Sequence, residues 1–118
     1  MTFSLVARCA KTGMFGIAIS SSSPAVAARC SYARAKVGAV ASQNVTDPTL
    51  GPLALDLMQT GLSAAQTIQD IKSIGKFIEY RQVLVIDNEG LTSIHSGPNS
   101  LGIWTQAEGK DVAAGGNL

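Results

Sequence analysis

The sequence is poor in charge. Only 14% of its 118 residues are Asp, Glu, Lys or Arg, well below the roughly 25% usual in a soluble domain. Net charge is +1, so no basic footprint for nucleic acid is present. There is a single histidine, His95, which excludes a multi-histidine metal site and reads as a surface or interface residue rather than a base. There are two cysteines, Cys9 and Cys30; they read as free thiols of a reducing, cytoplasmic chain rather than as a disulfide. No run of 18 apolar residues exists, so no helix spans a membrane. The start, Met-Thr-Phe-Ser-Leu-Val-Ala-Arg, lacks a basic segment before a long apolar core and is not a signal peptide. Aromatics number six: Phe3, Phe15, Tyr32, Phe77, Tyr80 and Trp104. They are the few bulky pieces available to fill a core.

What the chain has instead is small residues. Ala, Ser and Gly supply 40 of the 118 positions. They permit close backbone approach, and with so few charges they agree with a surface covered by a partner.

The pattern alternates between strand and helix signals. Thr2–Arg8 shows period-2 alternation and Met14–Ser20 follows a Lys-Thr-Gly turn, which predicts an antiparallel hairpin. The serine run Ser20–Ser23 ends at Pro24, where the strand stops. Pro24–Ala35 is ambiguous, with helix-favouring alanines but no apolar face. Val37–Gln43 reads as a buried strand, followed by loop punctuation at Asp47, Pro48, Gly51 and Pro52. Pro52–Thr60 and Ala64–Ile74 read as helices, the second opened by a capping box of Ser63 and Gln66. Tyr80–Asp87 is the strongest strand and Leu91–His95 returns beside it. Ile103–Gln106 and Asp111–Ala114 read as short strands around Glu108-Gly109. Separate runs of strands and helices predict an α+β layered fold in one domain, residues 1–118, with a largely antiparallel sheet.

The chemistry points to position 2. Thr2 follows the initiator Met and is small enough for methionine removal. A free N-terminal Thr holds a nucleophile and a base in one residue: Oγ1 attacks and the α-amine takes its proton. That amine has an unperturbed pKa near 7.7–8.0, close to what catalysis at neutral pH needs. With Met1 in place the nitrogen is an amide and no base exists.

The chain resembles a family, the DUF1028 proteins, placed by fold among the N-terminal-nucleophile (Ntn) hydrolases. The resemblance rests on Met1–Arg8, on Thr12-Gly13 with Gly16-Ile17-Ala18, and on Tyr32–Ala35 with Val37–Gln43. It continues through Pro48, Gly51-Pro52, Leu55-Asp56-Leu57, Gly61–Ala64, Arg81-Gln82, Asp87 and Gly90, and closes with Ser96-Gly97 and Gly116-Asn117. It implies a four-layer αββα sandwich with the N-terminal strand near the centre of one sheet, of which this chain is the N-terminal part. Three features depart from the usual pattern: Cys9 stands where an acidic residue is common, Ser21–Pro24 replaces a more aromatic stretch, and Lys36 sits where a small residue is frequent.

The expected activity is hydrolysis of an amide or related C–N bond through Thr2, with no metal or organic cofactor. The alternative is a non-catalytic Ntn-like subunit for small-molecule binding or assembly. Gln43 and Asn44, at a strand's end, either stabilise an oxyanion or cap a loop. Asn117 either places an amide by the site or belongs to a turn. Ser4 either orients Thr2 or is a buried, satisfied hydroxyl. Arg8 binds an anionic substrate or pairs with a carboxylate. Ser20 and Ser21 line a pocket floor or a solvated loop. Lys36 lowers the Thr2 amine's pKa or is simply solvated. Expected partners are a small-molecule substrate and either further copies or a second chain completing the fold. Nucleic acid and membrane are excluded.

Overall fold

The computed structural model describes all residues from Met1 to Leu118. Eight strands form two four-stranded antiparallel sheets, and three helices accompany them. The first sheet contains β1 (Thr2–Arg8), β2 (Phe15–Ser21), β7 (Trp104–Gly109) and β8 (Val112–Asn117), in the order β2-β1-β8-β7. The second contains β3 (Ser31–Arg34), β4 (Gly38–Gln43), β5 (Gln82–Asp87) and β6 (Thr92–Ser96), in the order β3-β4-β5-β6. A short α1 (Ala27–Cys30) precedes β3, and α2 (Leu50–Gln59) and α3 (Ala64–Ile74) connect β4 to β5.

Two apolar layers hold these elements. Between the second sheet and α2 and α3 lie Leu50, Ala54, Leu55, Met58, Ile68 and Ile71, packed on Val40, Val83 and Val85. Between the two sheets lie Val6, Ala39, Ala41, Leu84, Ile86 and Ala113. β4 and β5 are therefore buried on both faces, which is why they read as continuous apolar runs rather than alternating ones. Removing a side chain such as Leu84 or Ile71 costs about 2–5 kcal/mol.

The layer order within this chain is helix, sheet, sheet. The outer face of the first sheet is open. Phe3 is 56% exposed and Leu5 38%, and with Ala18, Ala107 and Ala114 they line an apolar groove of about 520 Å³ without an ionisable side chain. No helix is long and apolar enough to cross a membrane.

Most elements lie within two or three residues of their predicted places. The helix over Ala64–Ile74 has the predicted capping box: Gln66 N donates to Ser63 Oγ at 3.2 Å and Ser63 N to Gln66 Oε1 at 2.9 Å. Two regions differ. The ambiguous stretch before Ala35 contains α1 and the edge strand β3. The last strands are longer than expected, and Gly115-Gly116-Asn117 is not a turn but the end of β8, paired with β1 on one side and β7 on the other.

Candidate active site

Thr2 begins β1, an internal strand, so neighbours flank it on both sides. Its register partners are Ser21 of β2 and Asn117 of β8. Thr2 Oγ1 lies 2.8 Å from Ser21 Oγ, a hydroxyl pair in which one oxygen donates to the other. Ser21 Oγ also lies within hydrogen-bonding distance of the Met1 carbonyl, 3.1 Å away. Ser22 N donates to that same carbonyl at 3.1 Å, and the Met1 ammonium donates to Ser22 Oγ at 3.2 Å. The serine run thus holds the first residue against the end of β2.

Opposite Thr2, the second sheet contributes the end of β4. Gln43 is its last residue, and Asn44 and Val45 turn the chain with positive φ, 59° and 30°. Asn tolerates that region; for a β-branched Val it is strained. Arg81 stabilises the bend: its guanidinium donates to the Val45 carbonyl and, through Nε, to Lys76 O at 2.9 Å. Asp47 lies 4.0 Å from the same guanidinium. The Thr49 hydroxyl and backbone N–H donate to Asp47 Oδ1 at 2.6 and 3.0 Å. These bonds, with the Arg81 charge, hold the Asp47 carboxyl below its usual pKa although burial opposes them.

Between the two strand ends is a cleft of about 280 Å³ lined by Thr2, Arg29, Cys30, Asn44, Val45, Leu101 and Asn117, among others. It is smaller than the apolar groove on the outer face, but unlike that groove it brings Thr2 together with an arginine, a cysteine and two asparagines. Asn44 is buried and its Oδ1 accepts from Leu101 N at 3.3 Å, while its Nδ2 has no partner. A buried, unpaired N–H group is costly in a folded protein.

The other two amide candidates are already engaged. Gln43 Nε2 donates to Gln82 Oε1 at 2.8 Å and to Gly115 O at 3.2 Å. Asn117 Nδ2 donates to the same Gln82 oxygen at 3.2 Å. Gln82 Nε2 in turn donates to Ser96 Oγ at 3.0 Å and Thr105 O at 3.1 Å. Asn117 lines the cleft; Gln43 lies in the polar network behind it.

Of the remaining sequence candidates, Ser4 is buried on the Thr2 face, and its hydroxyl has no partner rather than being satisfied. Arg8 shares that face but sits six residues along β1, about 20 Å away at the usual strand rise, where it pairs with Asp111 at 3.3 Å. Ser20 is the register partner of Phe3 and lines the outer groove. Lys36 is exposed in the β3–β4 turn, at the far end of β4 from Gln43. His95 is half-buried and its Nε2 lies 2.8 Å from the Ile78 carbonyl. Both cysteines are free, Cys9 exposed and Cys30 buried. Sequence reasoning missed Arg29 and Gln82 as site residues: Arg29 stands in no motif, and Gln82 entered only as part of the family resemblance.

Residues 2–118 match the family of unknown function DUF1028. This chain belongs to that family. A solved DUF1028 protein from Silicibacter pomeroyi is 24% identical and superposes with a TM-score of 0.94, covering 99% of this chain and 54% of the other. The chain therefore spans about half the length of that DUF1028 relative, and the likeness concerns the fold. No curated protein matches the chain.

Proposed function

We propose that the cleft is the active site of an N-terminal-nucleophile hydrolase that cleaves an amide or related C–N bond, with Thr2 as nucleophile after Met1 is removed. The observation that carries this reading is that Thr2 and Asn44, a residue whose buried Nδ2 has no partner, line one cleft. In the proposed reaction the neutral Thr2 amine accepts the hydroxyl proton as Oγ1 attacks the carbonyl carbon. The negative charge that develops on the carbonyl oxygen meets the Asn44 amide. Collapse expels the amine, which leaves with the proton held by the α-amine, and an acyl-Thr ester remains. Water, deprotonated by the same amine, resolves the ester and regenerates Thr2. No cofactor enters this scheme. The three layers of the chain are read as part of an αββα sandwich, with the further layer packing on the open Phe3–Leu5 face.

A second reading has its own support. The bonds that Ser21 and Ser22 make to Met1 favour a chain whose first residue stays, and then the protein is a small-molecule-binding or assembly subunit without catalysis. Thr2→Ala and Thr2→Ser separate the two. The hydrolase reading expects Thr2→Ala to abolish cleavage of a panel of amides and dipeptide-like substrates, and Thr2→Ser to keep part of it. Both variants should stay folded, because one hydroxyl hydrogen bond contributes only about 1 kcal/mol. Full activity in Thr2→Ala places the chemistry elsewhere.

A further inference from the structure

We infer that Arg29 makes this a site for amides that carry a carboxylate, of the N-acyl amino acid type. This rests on the hydrolase reading of the cleft, but its evidence is separate. Arg29 lines the cleft with Thr2 and Asn44 and is half-buried at the end of α1. The chain's three ion pairs join Arg8 to Asp111, Arg34 to Asp56 and Arg81 to Asp47. Arg29 has no carboxylate partner; its side chain makes one hydrogen bond, from Nη2 to the Pro24 carbonyl at 3.3 Å. No Asp or Glu lines the cleft.

A guanidinium has five N–H donors in a planar fork matched to a carboxylate or phosphate. Here most of that fork is unused. Partial burial strengthens its field, since a charge screened from water interacts more strongly with an incoming ion. The charge count then chooses between the two anions. The Thr2 amine must be neutral to act as base, so Arg29 is the single permanent cation in the lining. One positive charge matches a carboxylate monoanion better than a phosphate dianion. Val26, Val45 and Leu101 supply apolar lining for a side chain beside the carboxylate.

The test is a binding titration by NMR on the Met1-free protein, with N-acetyl-leucine, its neutral isostere N-acetyl-leucinamide, and inorganic phosphate. The inference expects the acid to bind at least tenfold more tightly than the carboxamide, and more tightly than phosphate. Arg29→Gln should remove the difference between acid and carboxamide, and Arg29→Lys should restore part of it. Equal binding of acid and carboxamide to the wild type, or absence of binding by both, overturns the inference without any variant. Discrimination that persists in Arg29→Gln, or a preference for phosphate, also overturns it. Selective binding of the acid without cleavage of any amide upholds the role of Arg29 and refutes the hydrolase reading, so the two failures are distinct.

Discussion

Gln43 and Gln82 face each other across β4 and β5, and the first donates its Nε2 to the Oε1 of the second at 2.8 Å with both side chains almost wholly buried. Gln82 is the hub of the contact between the sheets at the cleft end. It accepts from Gln43 and Asn117 and donates to Ser96 and to the Thr105 carbonyl.

Gln82→Leu removes both the acceptor and the donors. Asn117 Nδ2 is left buried without its partner, at about 1–3 kcal/mol for a buried group left unsatisfied, and Ser96 Oγ and Thr105 O each lose a donor. The expected loss of stability is about 3 kcal/mol, read by urea denaturation. Because the Asn117 amide is no longer held at the cleft, the proposed hydrolysis should fall as well.

Asp87 supplies a contrast at the other end of β5. Its carboxylate accepts from Ala64 N at 2.9 Å, from Glu89 N at 3.0 Å and from Leu91 N at 3.0 Å, tying the start of α3 to the β5–β6 turn. Asp87→Ala strands these donors and should cost about 3 kcal/mol or more, since hydrogen bonds to a charged group are worth about 1.5–3 kcal/mol. The folded fraction should keep its kcat, because Asp87 lies at the end of β5 away from the cleft.

The Asp47 carboxyl gives a pH signature. Its folded pKa lies below the ordinary value of 3.8, so it stabilises the fold when ionised. That contribution is fully present above the unfolded pKa and is lost as pH falls through the depressed folded value. Thermal unfolding of wild type and Asp47→Asn should differ most at pH 5 and above. The gap should close progressively below about pH 4, the ordinary carboxylate range. A gap that widens with acid refutes the assignment.

The sequence disclosed elements whose signal is local. Ser63 and Gln66 mark the start of α3 within three residues, and Tyr80–Asp87 reads as the strongest strand. It hid β3, where Ser31–Arg34 alternates weakly because an edge strand beside a helix needs little apolar surface. Tyr32 is its anchor: a Cβ at Gly51 would fall within the Tyr32 ring, so the close packing of β3 on α2 depends on two residues 19 apart. β8 was half hidden because glycine is depleted in strands, yet Gly115 and Gly116 are held by pairing on both sides. At the site, Thr2, Asn44 and Asn117 could be named singly. Which amide is free depends on Gln82, 35 residues from Asn117 and 39 from Gln43, and no spacing rule reveals that.

The most direct test of Thr2 as nucleophile is covalent trapping. A β-lactone, which opens on an activated hydroxyl to leave an acyl ester, is incubated with Met1-free and Met1-retaining protein, and the modified residue is located by peptide mass spectrometry. The expected result is one acyl group on Thr2 in the Met1-free form, none in the Met1-retaining form, and none in Thr2→Ala. Equal labelling of both forms, or an acyl group on any other residue of the Met1-free protein with Thr2 untouched, contradicts it.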